Sequence, residues 1–384
     1  FGPEYLIPKP FDPRLIARIA PAVAKAAMDS GVATRPIADL EAYAEKLTEF
    51  VYKTSLFMRP VFNQARKDIK RIVLTEGEDE RVLHAAQQVV SQKLAFPILV
   101  GDAKLIEERL HSQGLTIQPG KDFELIDIKN SPYYEASWKE YYNLRKRSGV
   151  TEEMARRRLK ANTTLVGALL VRLGHADGLV CGTMGRFHDH FAVMEEVIGY
   201  NNPEKEAFAM NALISNKGNF FIADTYINEN PTAEQLANGT LMCAAEMKRI
   251  GLKPKVALVS NSNYGSHCSP DARKMQRALE IIRELDPTLE IDGEMQADVA
   301  LDETMRKSIF PETTLSGAAN LLVMPNVEAA NISYNLLRVN ATNGITVGPI
   351  LMGLNKPVQI VTPISTVRRI VNMIALAAVD AQRQ

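Results

Sequence analysis

Cysteine is scarce in this 384-residue chain. The three that occur, Cys181, Cys243 and Cys268, are scattered and odd in number. That argues against a disulfide framework and predicts a reducing, cytoplasmic setting. Charge of one sign is not in excess either. Lys plus Arg and Asp plus Glu each count 45, so the basic surplus typical of a nucleic-acid binder is missing. No apolar run approaches the roughly 18 residues of a membrane span. The N-terminus lacks the basic, apolar and small-residue layout of a signal peptide. It also lacks an initiator Met, and four prolines between Pro3 and Pro13 make an extended lead-in rather than a domain core. These features predict a piece of a longer polypeptide. Internal repeats and low-complexity segments are absent, and no P-loop or dinucleotide fingerprint matches.

What is present is an ordinary globular composition, 46% hydrophobic and 23% charged. The length suits two or three domains of about 100–200 residues each. Residues 12–28 place Leu15, Ile16, Ile19, Val23 and Met28 near helical spacing, with Gly31 as a stop. Residues 37–68 read as one or two long helices with a break at Pro60. The rhythm then changes to short β-branched runs alternating with amphipathic helices. Strands are expected at 71–75, 96–101, 123–128, 177–182, 219–225, 255–262, 289–294, 320–325 and 357–362. The alternation predicts an α/β fold: two mostly parallel sheets with helices on both faces and a cleft between the domains, after a helical linker. Ligands in such folds sit beyond the carboxyl ends of strands, which directs attention to Thr75-Glu76-Gly77, Ser260-Asn261-Ser262 and Thr362-Pro363.

Several segments invite chemistry, each beside a plainer reading. KPVQIVTPISTVRRIV (356–371) passes from a strand into a helix through Pro-Ile-Ser-Thr, the shape of an anion pocket at a helix N-terminus, yet no acid, His or Cys stands in its first turns. LTEGEDERVLHAA (74–86) is an acidic turn that serves a helix dipole equally well. ALVSNSNYGSHCSPDARKM (257–275) offers hydroxyls, N–H groups and Gly265 for a phosphate, or is simply a loop. His188-Asp189-His190 lacks the i,i+4 spacing of metal ligands, which predicts a surface or interface role and no metal site. Arg156 to Arg158 reads as a solvated face. Tyr141 to Arg147 allows one arginine into a cleft.

Taken in order, the segments resemble the phosphate acetyltransferases, which exchange acetyl groups between CoA and phosphate. The resemblance runs from about Lys70 to the C-terminus. It is carried by LTEGEDERVLHAA, NLRKRSGVTEE (143–153), HADGLVCG (175–182), ADTYINENPTAEQLA (223–237), IDGEMQADVAL (291–301), GAANLLVMPNVEAANISYNLLR (317–338) and VGPILMGLNKPV (347–358). The lead-in, residues 5–37, resembles the closing segment of fused bacterial NADP-dependent malic enzymes. Together these imply a malic enzyme terminus at 1–36, a helical linker at 37–69, a first α/β domain at 70–210 with 356–384, and a second at 211–355. They also imply an active-site cleft between the two domains.

The resemblance further implies a reaction centre that has lost its working groups. The family's Ser-Arg-Gly-Cys-Ser-x-x-Asp motif aligns so that Thr362 stands for the serine, Pro363 for the phosphate-holding arginine, Ser365 for the cysteine and Arg369 for the general-base aspartate. Thr225 stands where many members have cysteine, and Ala192 replaces a second arginine. A CoA thiol with a pKa of about 8.5 needs a base, and arginine, with a pKa above about 12, cannot be one. Retained acetyl-CoA contacts are expected at Arg145, Ser260, Asn261, Ser262, Gly265, Ser266, Asn331, Thr362, Ile364 and Ser365. The implied role is a non-catalytic domain that binds acetyl-CoA or CoA as an allosteric inhibitor of the malic enzyme domain of the same chain. NADP and Mg²⁺ or Mn²⁺ are then expected in that other domain, and no cofactor in this one. A homo-oligomer is expected, a dimer through this domain, with helix 367–379 and the stretch 317–338 as its faces. Two alternatives stand beside it: an active transferase using Arg368 or Arg369 for phosphate and Asp177 or Asp224 as base, and a purely architectural domain.

Overall fold

The computed structural model describes residues 13–127, 130–215, 218–340 and 345–383. The chain divides into two compact units, Phe1–Pro60 and Val61–Gln384. Helix α1 (Pro13–Asp29) follows its expected periodicity; residues 1–12 of the lead-in lie outside the described residues. Helix α2 (Leu40–Ala65) runs through Pro60, where a break was expected. A proline removes one N–H bond and strains one turn, which a helix with helical residues on both sides can absorb.

The larger unit holds two sheets. The first has the order β11 (Val358–Ile360), β4 (Gly178–Cys181), β1 (Arg71–Leu74), β2 (Phe96–Gly101), β3 (Glu124–Asp127), every pair parallel. The second has the order β10 (Ile345–Met352), β5 (Phe208–Ser215), β6 (Gly218–Ala223), β9 (Leu321–Val323), β7 (Val256–Val259), β8 (Ile291–Met295). Its β10–β5 and β5–β6 pairs are antiparallel and the remainder parallel. The fold is therefore α/β with two mostly parallel sheets, as expected.

Two strands escaped the sequence. Strand β5 reads FAMNALIS, rich in Ala, Met and Leu and without the β-branched run that marks a strand. Strand β10 reads ITVGPILM, and its ladder shifts register between Val347 and Ile350, where Gly348-Pro349 removes a donor. Both lie on the antiparallel side of the second sheet, outside the strand–helix alternation. The expected division at 210/211 falls within β5, all of which pairs in the second sheet.

Helices α3 (Glu80–Gln92) through α8 (Phe187–Val197) and the final α14 (Val367–Ala381) serve the first sheet. Between them in the chain lie α4 (Ala103–Ser112), α5 (Tyr134–Arg145), α6 (Glu152–Ala161) and α7 (Thr163–Arg172). One core packs Val73, Val100, Leu179 and Ile360 of the strands against Trp138, Leu169 and Met194 of the helices. On the second sheet, α9 (Ala233–Arg249), α10 (Pro270–Leu285), α11 (Ala297–Leu301), α12 (Glu303–Ile309) and α13 (Val327–Asn340) follow the strands. Its core includes Ile222, Ala257, Leu322, Val299 and Tyr334. Helix starts are capped: Asp79 accepts from the Arg81 amide, Thr232 and Gln235 form a capping box, and Ser269 precedes Pro270.

The chain passes from the first lobe to the second after α8 and returns after β10. The two crossings run side by side. The Asn201 amide donates to Gly353 O (3.0 Å), the Asn355 amide donates to Gly199 O (2.9 Å), and Tyr200 bridges Leu354. The Gln359 side chain ties β11 to the end of β10 through both backbone groups of Leu351.

Candidate functional site

Strand order makes the loops after β11, β4 and β1 neighbours at the carboxyl edge of the first sheet. After β1, buried Glu76 accepts from Thr75 Oγ1 (2.8 Å), the Gly182 amide (3.1 Å) and the Thr183 amide (3.4 Å). Burial pushes its carboxyl above the ordinary carboxylate range, partly offset by His190 and these donors. Three residues on, Asp79 pairs with Arg81 at 2.6 Å. Burial alone would raise Asp79, but the Arg81 guanidinium and amide outweigh it and hold the carboxyl low.

Arg81 then reaches across the site. Its guanidinium donates to Pro363 O, to Ser365 O (3.1 Å) and to Thr183 O (3.0 Å). It therefore fixes the backbone of the turn whose side chains the sequence singles out. Within that turn Ser365 Oγ accepts from the Thr362 amide (3.1 Å) and lies 3.3 Å from Thr362 Oγ1. Thr362 and Ser365 are buried, whereas Pro363 and Ile364 face solvent. The pocket expected at Pro-Ile-Ser-Thr is modified by this arrangement. Helix α14 starts only at Val367, and Thr366 Oγ1 already accepts from the Arg369 amide (3.3 Å).

His190 corrects the expectation of a surface or interface histidine. Its Nε2 lies 2.6 Å from Met184 O and its Nδ1 lies 2.8 Å from Thr164 Oγ1, with the ring buried. A carbonyl only accepts, so Nε2 carries a proton and donates to Met184 O. His188 remains exposed, and Asp189 pairs with Arg186 at 2.9 Å. Arg156 and Arg158 are exposed, as expected of a solvated face, and each also has partners. Arg156 lies 3.8 Å from the Trp138 ring centroid, and Arg158 contacts Tyr141 Oη and stands 3.6 Å from Glu196. Arg145, at the end of α5, joins the same group, 3.4 Å from Glu196. Ala192 is exposed one helical turn before that glutamate on α8.

In the second lobe, the loop after β7 consumes much of the hydrogen-bonding capacity that made it phosphate-ready. Glu294 of β8 accepts from Ser262 Oγ (2.7 Å) and from the Gly265 amide (2.7 Å), while Ser266 Oγ accepts from the Asn263 amide (2.8 Å). Ser260 Oγ accepts from the Ser262 amide and donates to Asn261 Oδ1. After β6, Thr225 is fully buried. Its Oγ1 accepts from Asn211 Nδ2 (2.7 Å), and its carbonyl accepts from Asn331 Nδ2 (3.2 Å). Asp224 accepts from the amides of Ala209, Tyr226, Ile227 and Asn228, and also from Asn228 Nδ2. Asp177 precedes β4, at the opposite edge of the first sheet from the site loops, and accepts from the Arg71 amide (2.7 Å).

Two contacts join the lobes here. Tyr226 stacks on Phe187 with ring centroids 4.7 Å apart, and the Arg369 guanidinium donates to Thr346 Oγ1 on β10. Burial and nearby Tyr334 raise the Tyr226 hydroxyl, while Arg369 and Arg338 act in the opposite sense. The structure thus brings Thr225 to Asn331, Thr362 and Pro363 to Ser365 and Arg81, and Arg369 to Thr346. Among the described residues, no hydrogen bond or ion pair links the 260–266 loop to the 362–365 turn or Arg145 to either. Sequence reasoning missed Arg81, Glu294 and Tyr226, reached Glu76 only as part of a strand tail, and gave His190 a different role. Arg81, Glu76 and Glu294 lay inside quoted motifs, but their partners are distant in the chain. Among the described residues no group of three or more His, Cys, Asp or Glu side chains is arranged to hold a metal ion, and no helix is long and apolar enough to cross a membrane.

Fold and site define a two-lobed α/β protein with polar loops at the carboxyl ends of its parallel strands. Residues 56–378 match the family model described as phosphate acetyl/butaryl transferase, and the chain belongs to that family. It is 33% identical over 331 residues to a phosphate acetyltransferase of Corynebacterium glutamicum, covering 85% of this chain and 98% of that protein. A crystal structure of a phosphotransacetylase from Streptococcus pyogenes superposes with a TM-score of 0.78 at 28% identity, covering 85% of this chain and 99% of the other. An NADP-dependent malic enzyme of Salmonella typhimurium is 58% identical over 382 residues, covering all of this chain and 50% of that enzyme. The chain spans about half the length of the curated malic enzymes it matches.

Proposed function

We propose that this chain is a non-catalytic regulatory domain of an NADP-dependent malic enzyme, and that it binds acetyl-CoA as an allosteric inhibitor. The observation that carries the proposal is Arg369. The resemblance puts a general base at this position, and here a guanidinium is engaged with Thr346. Pro363, six residues earlier in the chain, offers a carbonyl already taken by Arg81, and no charge. Loss of a general base commonly removes about 10²–10⁴ in rate. The alternative bases are poorly placed: Asp224 is enclosed by its own loop, and Asp177 lies at the far edge of the sheet.

In this reading the malic enzyme half, with NADP and Mg²⁺ or Mn²⁺, carries oxidative decarboxylation of malate, in the cytoplasm. Acetyl-CoA then acts by binding one arrangement of the two lobes better than another, and a ligand of equal affinity would shift nothing. Subunit contacts fall to the 317–338 stretch rather than helix 367–379. Nearly all of α14 is buried, whereas Ile332, Leu336 and Val339 on α13 are exposed. Calorimetry with acetyl-CoA should show saturable binding, and an assay with acetyl phosphate and CoA should show no turnover. Absence of heat and of any thermal shift at about millimolar ligand removes the proposal. Brisk acetyl-CoA formation would establish the active transferase instead, and an oligomer that holds together without binding any ligand would establish the architectural domain.

A further inference from the structure

The end of α14 holds the end of α2. Gln382 Nε2 donates to Gln64 O (3.1 Å), Ala65 O (3.1 Å) and Asp68 O (2.7 Å), while Gln382 Oε1 accepts from Gln64 Nε2 (2.9 Å). The last carbonyls of a helix have no partner within it, so a side chain that reaches them acts as a cap. These residues all lie in the larger unit, where Val61 and Ala65 bury the last turn of α2. An amide nitrogen carries two protons, yet three carbonyls lie within reach of this one. The acceptors therefore share the donor, and a small displacement of α14 redistributes the bonds. A second tie, from Arg66 Nε to Gln92 O (2.9 Å) at the end of α3, does not involve α14.

The other end of α14 follows directly on the turn at 362–365, whose Ser365 carbonyl Arg81 holds. Every residue from Ile370 to Val379 is buried, so the helix is packed along its length and displaces as one body over roughly 20 Å. It also touches the second lobe near both ends. The Arg369 guanidinium donates to Thr346 Oγ1 on β10, and Asp380 pairs with Arg249 of α9 at 2.9 Å. A change in the setting of the lobes thus acts on α14 directly. We propose that Gln382 is a ligand-sensitive cap: occupancy of the turn before α14 shifts that helix, and the shift changes how firmly Gln382 holds the last turn of α2. This rests on the reading that acetyl-CoA binds this chain, and it gives the coupling a route. The route runs from the binding turn along α14 into α2, which continues through Pro60 into the N-terminal unit.

Hydrogen exchange of the chain, read by peptide mass with and without saturating acetyl-CoA, tests the cap. The exchange rate of the 61–69 segment is expected to change by about twofold or more on binding, a result that needs no variant to fold. In Gln382→Ala the segment should exchange faster in both states, and the ligand-dependent difference should vanish. Arg66→Ala removes the tie to α3, so it should also speed exchange but keep the difference. A merely structural Gln382 would behave as Arg66 does. Calorimetry with acetyl-CoA on the same samples separates the two readings. Binding with no change at 61–69, or a difference that survives in Gln382→Ala, overturns the cap and leaves the regulatory reading standing. Absence of binding removes both.

Discussion

At the scale of single residues, Arg81 does most to shape the site. One guanidinium holds Asp79 on its own helix and the carbonyls of Thr183, Pro363 and Ser365 on two other loops. Charge-assisted bonds of this kind contribute about 1.5–3 kcal/mol each when partly buried, and their loss leaves acceptors unpaired. Arg81→Ala is expected to lower the melting temperature and weaken acetyl-CoA binding by about tenfold or more, with Arg81→Lys recovering part of the stability. Differential scanning fluorimetry and calorimetry check this, and unchanged affinity would remove Arg81 from the site. The same residue shows why the site was only half legible. LTEGEDERVLHAA was recognised as a carboxylate-rich helix start, and Asp79 is indeed its cap. Nothing in that stretch discloses that its arginine spans to residues 363 and 365. The serine-rich loop is alike: that its hydroxyl and amide meet Glu294 follows only once β7 and β8 pair. The expectation at Arg369 and Pro363 rests on the resemblance to the family motif and needs no geometry.

Among the elements, the paired crossings between lobes are where a conformational change would concentrate. Gly353 lies in one of them at φ +93°, and a Cβ there would stand 2.3 Å from Glu206 O of the other. Neither problem has a cheap solution, because the obstructing atom is backbone and the dihedral is one that L side chains rarely adopt. Gly353→Ala is expected to cost about 2 kcal/mol or more and to change acetyl-CoA affinity through the relative setting of the lobes. Thermal unfolding and titration calorimetry measure both; wild-type stability would show that the crossing relaxes freely. Legibility at this scale followed the strength of local pattern. Nine runs of β-branched or aliphatic residues, each leading to a helix, identified the parallel strands. Strands β5 and β10 were invisible because one is Ala- and Met-rich, the other is interrupted by Gly-Pro, and both take their place from antiparallel partners rather than from their own periodicity. Pro60 misled in the opposite direction, since a breaker acts on probability and not on a helix already supported on both sides.

For the molecule from Val61 onward, two carboxylates set opposing trends of stability with pH. Glu290 accepts from the Ser316 amide and hydroxyl and pairs with Lys253 at 2.6 Å. Burial alone would raise it, but Lys253 and Ser316 outweigh that and bring it to about 2 from 4.5. A folded value below the unfolded one stabilises above about pH 4.5, and this contribution is lost as pH falls towards about 2. Asp380 on α14 behaves inversely. It shares Arg249 of α9 with Glu246, two carboxylates to one guanidinium, in the joint between that helix and α14. Burial, opposed by Arg249 and aided by Glu246, pushes Asp380 from 3.8 up to about 7. Here the proton is bound more tightly in the folded state, so the contribution is complete below about pH 3.8 and is lost as pH rises through about 7. These two groups therefore predict stability that climbs from pH 2 to 4.5 and is eroded between about pH 4 and 7. Asp380→Asn should flatten the second limb without touching the first, and Glu290→Gln should do the reverse. Urea unfolding across the range separates them. An Asp380→Asn variant that keeps the wild-type slope between pH 4 and 7 would mean that the α14–α9 joint holds its aspartate ionised, with Arg249 sufficient for both acids.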